Sequence, residues 1–531
     1  MHFGDKKILI FLLIILAIAT FFRLWQLDQI PPWLYPDVAM NGNDALQSLK
    51  SNDFKLFYLE NNGREGLMIW LIALSFWIFG VSVWSIKIVA AIIGILTVLG
   101  LYLLTKELLS NYYEAGSRRM NLKNEAIALL ASFFLAISFW HVNFSRLGFR
   151  AILLPFILVF AFYFLFKGFG QKKLFHLIIA GVFFGFGFYT YISYRFIVLL
   201  LIIVLLGWFL IYRKQFLNKK FIFFASFFLF SIFIVALPIG IYFLKNQQDF
   251  VGRASPISIF AAENPLKEFG KSLILHLGMF NLYGDPNWRH NFATSPQLFW
   301  PMGILFLFGV VISIKNLISS IKNRNVSLFA VYCLLLCWVI IFLLPGILTY
   351  EGIPHALRTI GVIPPVFILT ALGACKIYEF LEQNVKNKKL LIFISFFFLL
   401  SLSFFEYNKY FNLWAENKKL KEAFTENYAE IGYFLNSLPG NVKKYVIIDT
   451  PNNPVFGISI DAQTPIFIES TEFGAPRATY LRFEEVDEIY DFRNKVIFIP
   501  LYEDGILQQL MNKFPWGQIK TKGDFKYYEL Y

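Results

Sequence analysis

The chain has 531 residues, of which 57% are apolar, 19% aromatic and only 16% charged. An ordinary soluble protein carries about 25% charged residues, and a disordered chain carries few aromatics, so both classes are excluded. The net charge of +13 arises in residues 1–406, where 34 Lys and Arg face 18 Asp and Glu; residues 407–531 hold 14 and 17. Basic charge beside long apolar runs reflects membrane topology and anionic lipid. No basic stripe on a soluble fold points to nucleic acid.

A bilayer-spanning helix needs about 20 mostly apolar residues. Eleven such segments are predicted, at 8–25, 82–105, 125–143, 151–167, 174–192, 196–212, 221–244, 298–315, 326–346, 358–379 and 389–406. The first runs into Phe21-Phe22-Arg23-Leu24-Trp25 with no small-residue cleavage site, so it reads as a retained anchor rather than a signal peptide. With the N-terminus inside, the inner loops collect 20 basic residues, among them Lys6-Lys7, Arg118-Arg119, Arg213-Lys214 and Lys388-Lys389. The longer outer loops collect 12. This asymmetry places the N-terminus in the cytoplasm, and an odd number of spans places the C-terminal segment outside.

Two outer loops are long, 26–81 and 245–297, and the inner loops are short and basic. Chemistry is usually carried on loops held by a rigid scaffold, so the asymmetry points outward. The short apolar segment 67–80 reads as an interfacial helix, with a true span as the alternative. Beyond 407, residues 445–449, 465–469 and 495–500 read as strands, and 415–437 and 503–513 as helices. The expectation is a transmembrane domain over 1–406 and a small extracytoplasmic α/β domain over 407–531. That domain has no phosphate-binding glycine loop and reads as a lid or partner-docking module. Cys333, Cys337 and Cys375 lie in or beside apolar runs and imply neither a disulfide framework nor a metal cluster.

The first outer loop holds Tyr35-Pro36-Asp37-Val38. Asp37 can serve as a general base on a hydroxyl, or cap a helix beginning at Val38. Asp44 fits a solvated helix face. Arg64 and Glu65, in Asn61-Asn62-Gly63-Arg64-Glu65-Gly66, fit an ordinary polar turn. After the third span, His141, Arg146 and Arg150 cluster where spans meet water. They suit a phosphate or simple anchoring by snorkelling side chains, and Tyr191 with Arg195 carries the same two readings. The stretch Arg289-His290-Asn291 is too dense in hydrogen-bond donors for an ordinary loop and points to function. Near His355, Arg358 opens the tenth span, where a charge is costly unless it faces water or an anionic partner. Basic groups thus come from five separate loops, with Asp37 as the outstanding carboxylate. A cationic pocket beside a carboxylate suits holding a lipid-linked phosphate as leaving group while the base activates an acceptor hydroxyl.

The order of these features resembles the C-type membrane glycosyltransferases (the GT-C fold), in particular the protein O-mannosyltransferase-like group that includes the bacterial aminoarabinose transferases. The residues that carry the resemblance are Phe22-Arg23-Leu24, Tyr35-Pro36-Asp37, Ser138-Phe139-Trp140-His141 with Ser145-Arg146, Gly284-Asp285-Pro286-Asn287, and Pro354-His355-Ala356-Leu357-Arg358. It covers roughly 8–370. The resemblance implies a polyprenyl-phosphate sugar as donor, Asp37 as catalytic base, and one displacement that inverts the anomer. It also implies that Arg146, Arg195, Arg289, His290 and Arg358 hold the donor phosphate. Arg64, Glu65, His141, Arg150, Tyr191, Asn291 and His355 are supporting candidates.

Three departures from the family pattern stand out. Asp37 is followed by Val38 rather than Glu, and Arg150 stands where many members carry a second acid. The Trp-Trp-Asp-Tyr-Gly signature of oligosaccharyltransferases is absent, which argues against transfer of a whole oligosaccharide to Asn. No cofactor is assigned, and a divalent metal stays an open alternative. A divalent metal would need two or more hard ligands, and only Asp37 with Asp44 or Glu65 offers them, so no metal is assigned. The acceptor hydroxyl can belong to a glycan, a lipid or a protein. Two other classes stay open: a flippase or transporter for a lipid-linked glycan, and a membrane glycan polymerase or ligase.

Overall fold

The computed structural model describes residues 3–110, 118–216, 219–252, 255–449, 458–489, 493–503 and 505–531. Helix α1 (Phe3–Leu24) leads to α2 (Pro36–Ser51), a two-stranded hairpin of β1 (Phe57–Tyr58) and β2 (Arg64–Glu65), and α3 (Leu67–Phe79). There follow α4 (Val83–Ser110), α5 (Arg118–Ile137), α6 (Phe139–Leu147), α7 (Leu153–Gln171), α8 (Leu174–Phe186), α9 (Ile197–Phe216) and α10 (Lys219–Lys245). The short α11 (Gln247–Val251) and α12 (Pro265–Gly278) lie in the second long loop. Then come α13 (Trp300–Lys322), α14 (Val326–Ile347), α15 (Ile363–Asn384) and α16 (Lys388–Tyr407).

Among the described residues eight helices are long and apolar enough to cross a membrane, and the bent pair α5–α6, taken as one span, makes nine. The predicted fifth and sixth spans are shorter apolar helices, at Leu174–Tyr189 and Ile192–Gly207. Large apolar side chains such as Phe223, Phe230 and Phe233 on α10, and Phe393, Phe396 and Phe397 on α16, are exposed. In water such faces would be an aggregation liability; in lipid they are the solvent-facing surface. The protein is a multi-pass helical membrane protein. Segment 67–80 forms a 13-residue helix, about 20 Å long and therefore short for a span. Its Met68, Ile69, Ile72 and Phe76 are buried, while Leu74, Trp77 and Ile78 are exposed.

The third predicted span is broken. Its two halves meet at Ser138 with a 57° bend. Carbonyls left without helical partners at such a break need donors in an apolar medium. Arg23 supplies them, giving Nη1 to Ala136 O at 2.9 Å and Nη2 to Leu135 O at 3.3 Å.

Past α16 a seven-residue π-helical stretch, Asn408–Trp414, carries the helix beyond the expected boundary at 406. Helices α17 (Lys419–Ala423) and α18 (Glu426–Ser437) precede a sheet in the order β4-β3-β5-β7-β6. Its strands are β3 (Lys443–Ile447), β4 (Thr479–Leu481), β5 (Val496–Pro500), β6 (Gln518–Lys522) and β7 (Phe525–Leu530), with α19 (Gln463–Phe473) and α20 (Ile506–Lys513) between them. β4, β3 and β5 are parallel, and β7 pairs antiparallel with β5 and β6. Alternate residues feed two cores: Val446, Ile497 and Ile499 on one face, Ile447, Val496 and Phe498 on the other.

The expected helix over 415–437 is split at Thr425, which takes a left-handed φ of 52°. Residues 465–469, expected as a strand, form the middle of α19 instead. Pro465 is tolerated there because it falls in the first turn. The helix is held by tertiary contact: Phe467 is fully buried in the same core as Phe22, Val38 and Phe76, and stacks on Phe76 with centroids 5.9 Å apart. Thr464 Oγ1 donates to Leu34 O at 3.1 Å, and Asn43 Nδ2 donates to Gln463 Oε1 at 2.9 Å. The C-terminal part is therefore seated on α2 and α3. A Cβ on Gly42 would meet the Phe467 ring at 2.7 Å, so this close seating needs glycine in α2.

Candidate active site

Asp37 lies in the first turn of α2. Tyr35 is the N-cap in extended conformation and Pro36 opens the helix, with its φ already set for the turn. The helix thus begins two residues earlier than expected, and no side chain caps it. The capping alternative for Asp37 is replaced by a different contact: Asn61 Nδ2 donates to Asp37 Oδ1 at 2.9 Å. Asp37 is half-buried. Among the described residues it has no other hydrogen-bond partner and no ion pair.

Asn61 belongs to the tip of the β1–β2 hairpin. Asn61, Asn62 and Gly63 take φ values of 55°, 58° and 84° in succession, a left-handed run that Asn and Gly accept at low cost. Gly63 is required twice over, since a Cβ there would also strike the Phe57 ring at 2.3 Å.

Asp37, Asn41 and Asp44 recur at i, i+4 and i+7, and so share one face of α2. The hairpin covers that face. Arg64 Nη1 donates to Asn41 Oδ1 at 2.9 Å and Nη2 pairs with Asp44 Oδ2 at 2.6 Å. Its Nε donates to Glu60 O at 3.2 Å. The expectation of an ordinary loop at Arg64 is corrected: its side chain is 0% exposed. Asp44, expected on a solvated face, is its partner and keeps 15% of its side chain exposed. Burial pushes the Asp44 carboxyl above its ordinary range, and Arg64 pulls the other way.

The second strand of the hairpin delivers Glu65 to a different group. Glu65 Oε2 lies 3.3 Å from Arg150 Nε, and Oε1 lies 4.0 Å from Arg195 Nη2. Arg150 also donates to Gly63 O at 3.4 Å and sits over the Tyr191 ring at 5.6 Å. A carboxylate from the first loop thus stands beside Arg150. Arg195 lies over the Phe250 ring at 4.0 Å and at the edge of an apolar groove of about 700 Å³, walled by Ile239, Phe243, Leu244 and Phe250.

The remaining candidate cations are engaged elsewhere. Arg146 is fully buried and gives its protons to carbonyls at the end of α1: Phe22 O at 3.0 Å, Trp25 O at 2.7 Å, Gln26 O at 3.1 Å and Ile30 O at 2.9 Å. This use ties α6 to α1 and leaves a phosphate little to bind. His141 is also fully buried, its Nδ1 accepting from Arg23 Nη2 at 2.7 Å. It neither snorkels nor faces the surface. Arg358 Nη1 donates to Thr349 Oγ1 at 2.9 Å and Glu351 O at 2.8 Å. Arg289 lies over the Tyr35 ring, 3.9 Å from its centroid, and so reaches the residue two before Asp37.

His290, Asn291 and His355 are gathered by Asp285, a residue the sequence reading named within Gly284-Asp285-Pro286-Asn287 but gave no role. Asp285 is fully buried. Its Oδ1 accepts from Asn287 N at 2.8 Å; its Oδ2 accepts from Ala356 N at 2.7 Å and from His290 Nδ1 at 3.1 Å. Asn291 Nδ2 donates to the Asp285 carbonyl at 3.2 Å. His355 N donates to His276 Nε2 at 3.1 Å. Burial pushes the His276 imidazole down to about 4, and burial together with Arg358 holds His355 well below the usual histidine range. Both are therefore neutral near pH 7.

Asp285, His290 and His355 present ligand atoms within 4.8 Å of one another, so this set can hold a metal ion. The three donors already on the Asp285 oxygens make it a hydrogen-bonded knot joining loop 284–291 to loop 354–358. Asp44 and Glu65, the hard ligands considered from sequence, are each taken by arginine.

With this geometry in view, the comparisons with known proteins are specific. A family model described as dolichyl-phosphate-mannose-protein mannosyltransferase matches residues 67–239. No curated protein matches the chain in sequence. Among solved structures, ArnT from Cupriavidus metallidurans bound to undecaprenyl phosphate superposes with a TM-score of 0.57 at 11% identity, covering 99% of this chain and 98% of that one. Its apo form gives 0.58 with the same identity and coverage. The chain shares the fold of these ArnT structures. The resemblance read from the order of the motifs stands, over the full length in structure and over 67–239 in sequence.

Proposed function

We propose that the protein is an inverting glycosyltransferase that moves a sugar from a polyprenyl-phosphate-linked donor to an acceptor hydroxyl. The observation that carries this reading is the 57–65 hairpin. One end holds Asp37 through Asn61, and the other pairs Glu65 with Arg150 and brings it within 4.0 Å of Arg195, which lines an apolar groove. A carboxylate and a cationic, lipid-compatible site are thereby held by one short element. A lipid-linked donor is supported by the match to the mannosyltransferase model and by the likeness in fold to a protein that binds undecaprenyl phosphate.

In the proposed reaction the prenyl chain lies along the apolar groove, with the phosphate meeting Arg195 and Arg150. The Asp37 oxygen not held by Asn61 accepts the proton of the acceptor hydroxyl. The hydroxyl oxygen attacks the anomeric carbon from the side opposite the phosphate. The bond from that carbon to the phosphate oxygen breaks, and polyprenyl phosphate leaves with the electron pair. The two guanidinium groups stabilise its growing charge. A single displacement inverts the anomeric configuration. We place this chemistry at the outer membrane face, with the N-terminus in the cytoplasm and the C-terminal α/β part outside, on the charge asymmetry of the loops.

A flippase would need ionisable groups at mid-span. Among the described residues, the buried Arg23 closes α1 and Lys87 lies in the first two turns of α4, both at helix ends. The test is the protein reconstituted with undecaprenyl-phosphate sugars and envelope glycans, lipids and proteins as acceptors. Formation of a glycoside of inverted configuration, with release of undecaprenyl phosphate, is expected. Retained configuration, or lipid scrambling without sugar transfer, would refute the assignment.

A further inference from the structure

A second cavity, distinct from the apolar groove, lies where the membrane part meets the C-terminal part. Its volume is about 390 Å³, and Tyr35, Trp288, Arg289, Lys419, Glu422 and Asp461 line it, a size within the range of ligand pockets. Pro36, the residue immediately before Asp37, is also in its wall. The cavity therefore abuts the N-terminus of the helix that carries the proposed base.

The lining has a particular chemistry. Two cations, two carboxylates and an indole share one small space. Arg289 is held from behind: Asn143 Nδ2 donates to its carbonyl at 2.7 Å, and its own N–H donates to Asn287 Oδ1 at 3.0 Å. Its guanidinium lies over the Tyr35 ring, and its Nε is buried with no hydrogen-bond partner. Trp288 is fixed by Trp414 Nε1, which donates to its carbonyl at 3.0 Å, and Lys419 Nζ stands 5.7 Å from its ring centroid. A lipid tail would gain nothing from such walls. Among the described residues, no strand edge lines the cleft to take an extended peptide by strand addition. A sugar ring fits the set, because its hydroxyls both accept from cations and donate to carboxylates. Its axial C–H face suits an aromatic ring.

We propose that this cleft is the acceptor subsite and that the acceptor is a saccharide, bound with a hydroxyl directed toward Asp37. This rests on the transferase reading for its role, but not for the binding itself. The division of labour is then physical: an apolar groove with Arg195 for the lipid-linked donor, and a polar cleft for the sugar that receives.

The experiment uses the full chain in lipid nanodiscs and saturation-transfer NMR. The probes are methyl glycosides of a hexose, a hexosamine and a hexuronate, with a Ser/Thr-containing hexapeptide for comparison. At least one glycoside is expected to bind saturably in the millimolar range, and Asp461→Asn and Glu422→Gln are each expected to weaken it at least fivefold. Undecaprenyl phosphate binding, measured on the same samples, is expected to stay unchanged, which also certifies that the variants are folded. Binding of the peptide alone, no saturable glycoside, or glycoside binding indifferent to both substitutions would overturn the proposal. Glycoside binding in a protein that ignores undecaprenyl phosphate would leave the cleft standing and defeat the donor reading instead.

Discussion

Asn61 and Asp37 are 24 residues apart in the chain and joined by one hydrogen bond of 2.9 Å. The bond fixes one carboxylate oxygen and so orients the other. A hydrogen bond to a charged group contributes roughly 1.5–3 kcal/mol, and each 1.4 kcal/mol is about tenfold in rate. Asn61→Ala is therefore expected to lower kcat by about 10- to 100-fold with the KM for donor nearly unchanged. Steady-state kinetics on the reconstituted protein checks this. An equal rise in KM would show that Asn61 serves binding instead.

Arg64 is expected to matter for stability rather than chemistry. Its removal leaves the mostly buried Asp44 without its partner, and breaking a buried pair costs roughly 3–5 kcal/mol. Arg64→Ala should lower the melting temperature substantially. The double variant Arg64→Met with Asp44→Leu, which removes both charges and keeps much of the volume, should recover most of the loss. Thermal melts of the three proteins in one lipid composition decide it.

Arg195 and Arg146 are expected to separate. Arg195→Ala should weaken undecaprenyl phosphate binding by about tenfold or more, the scale of one charge-assisted contact. Arg146→Lys keeps the charge but forfeits most of the carbonyl bonds at the end of α1, so it should lower thermal stability. Phosphate affinity of the folded fraction should stay intact. Direct binding titration with undecaprenyl phosphate, alongside melting curves, distinguishes the two roles.

A pH effect follows from His276 and His355. Both imidazoles are held neutral in the folded chain, with His276 down at about 4 against 6.5 in the unfolded one. Above pH 6.5 neither state binds the proton and their contribution is complete. As pH falls from 6.5 toward 4 the unfolded state gains protons first, so stability is lost over that window. The knot of loops 284–291 and 354–358 should open there, and return on neutralisation. Hydrogen exchange of these two loops at pH 7, 5.5 and 4.5 is the check. His276→Gln should flatten the dependence.

The parts of this fold that were legible in the sequence are those governed by local pattern. Apolar runs marked most of the spans, and the Tyr35-Pro36-Asp37 stretch marked the start of α2 on which the proposed base sits. What escaped was set by contacts distant in sequence. Asp44 looked solvated because periodicity shows which residues share a face of α2, not that the hairpin later covers it. The spacing of Asp37, Asn41 and Asp44, followed by Asn61 and Arg64, was the signal available. Residues 465–469 have a strand's composition, but Phe467 finds its core on α2 and α3, and the helix follows from that docking. Asp285 gave no sign of its role, since its partners His290 and Ala356 come from two loops that only the folded chain brings together. Arg146 shows the reverse error: an exposed-looking cation whose burial against α1 could be seen only in three dimensions.

The central claim is that the Asp37 carboxylate removes the acceptor proton. The direct measurement is single-turnover sugar transfer by Asp37→Asn, with undecaprenyl phosphate binding measured in parallel. The variant keeps the shape and the Asn61 contact but removes the base. Donor affinity within about twofold of wild type, with transfer slowed by about 10²–10⁴, the usual contribution of a general base, is the predicted result. Transfer at the wild-type rate would contradict the account.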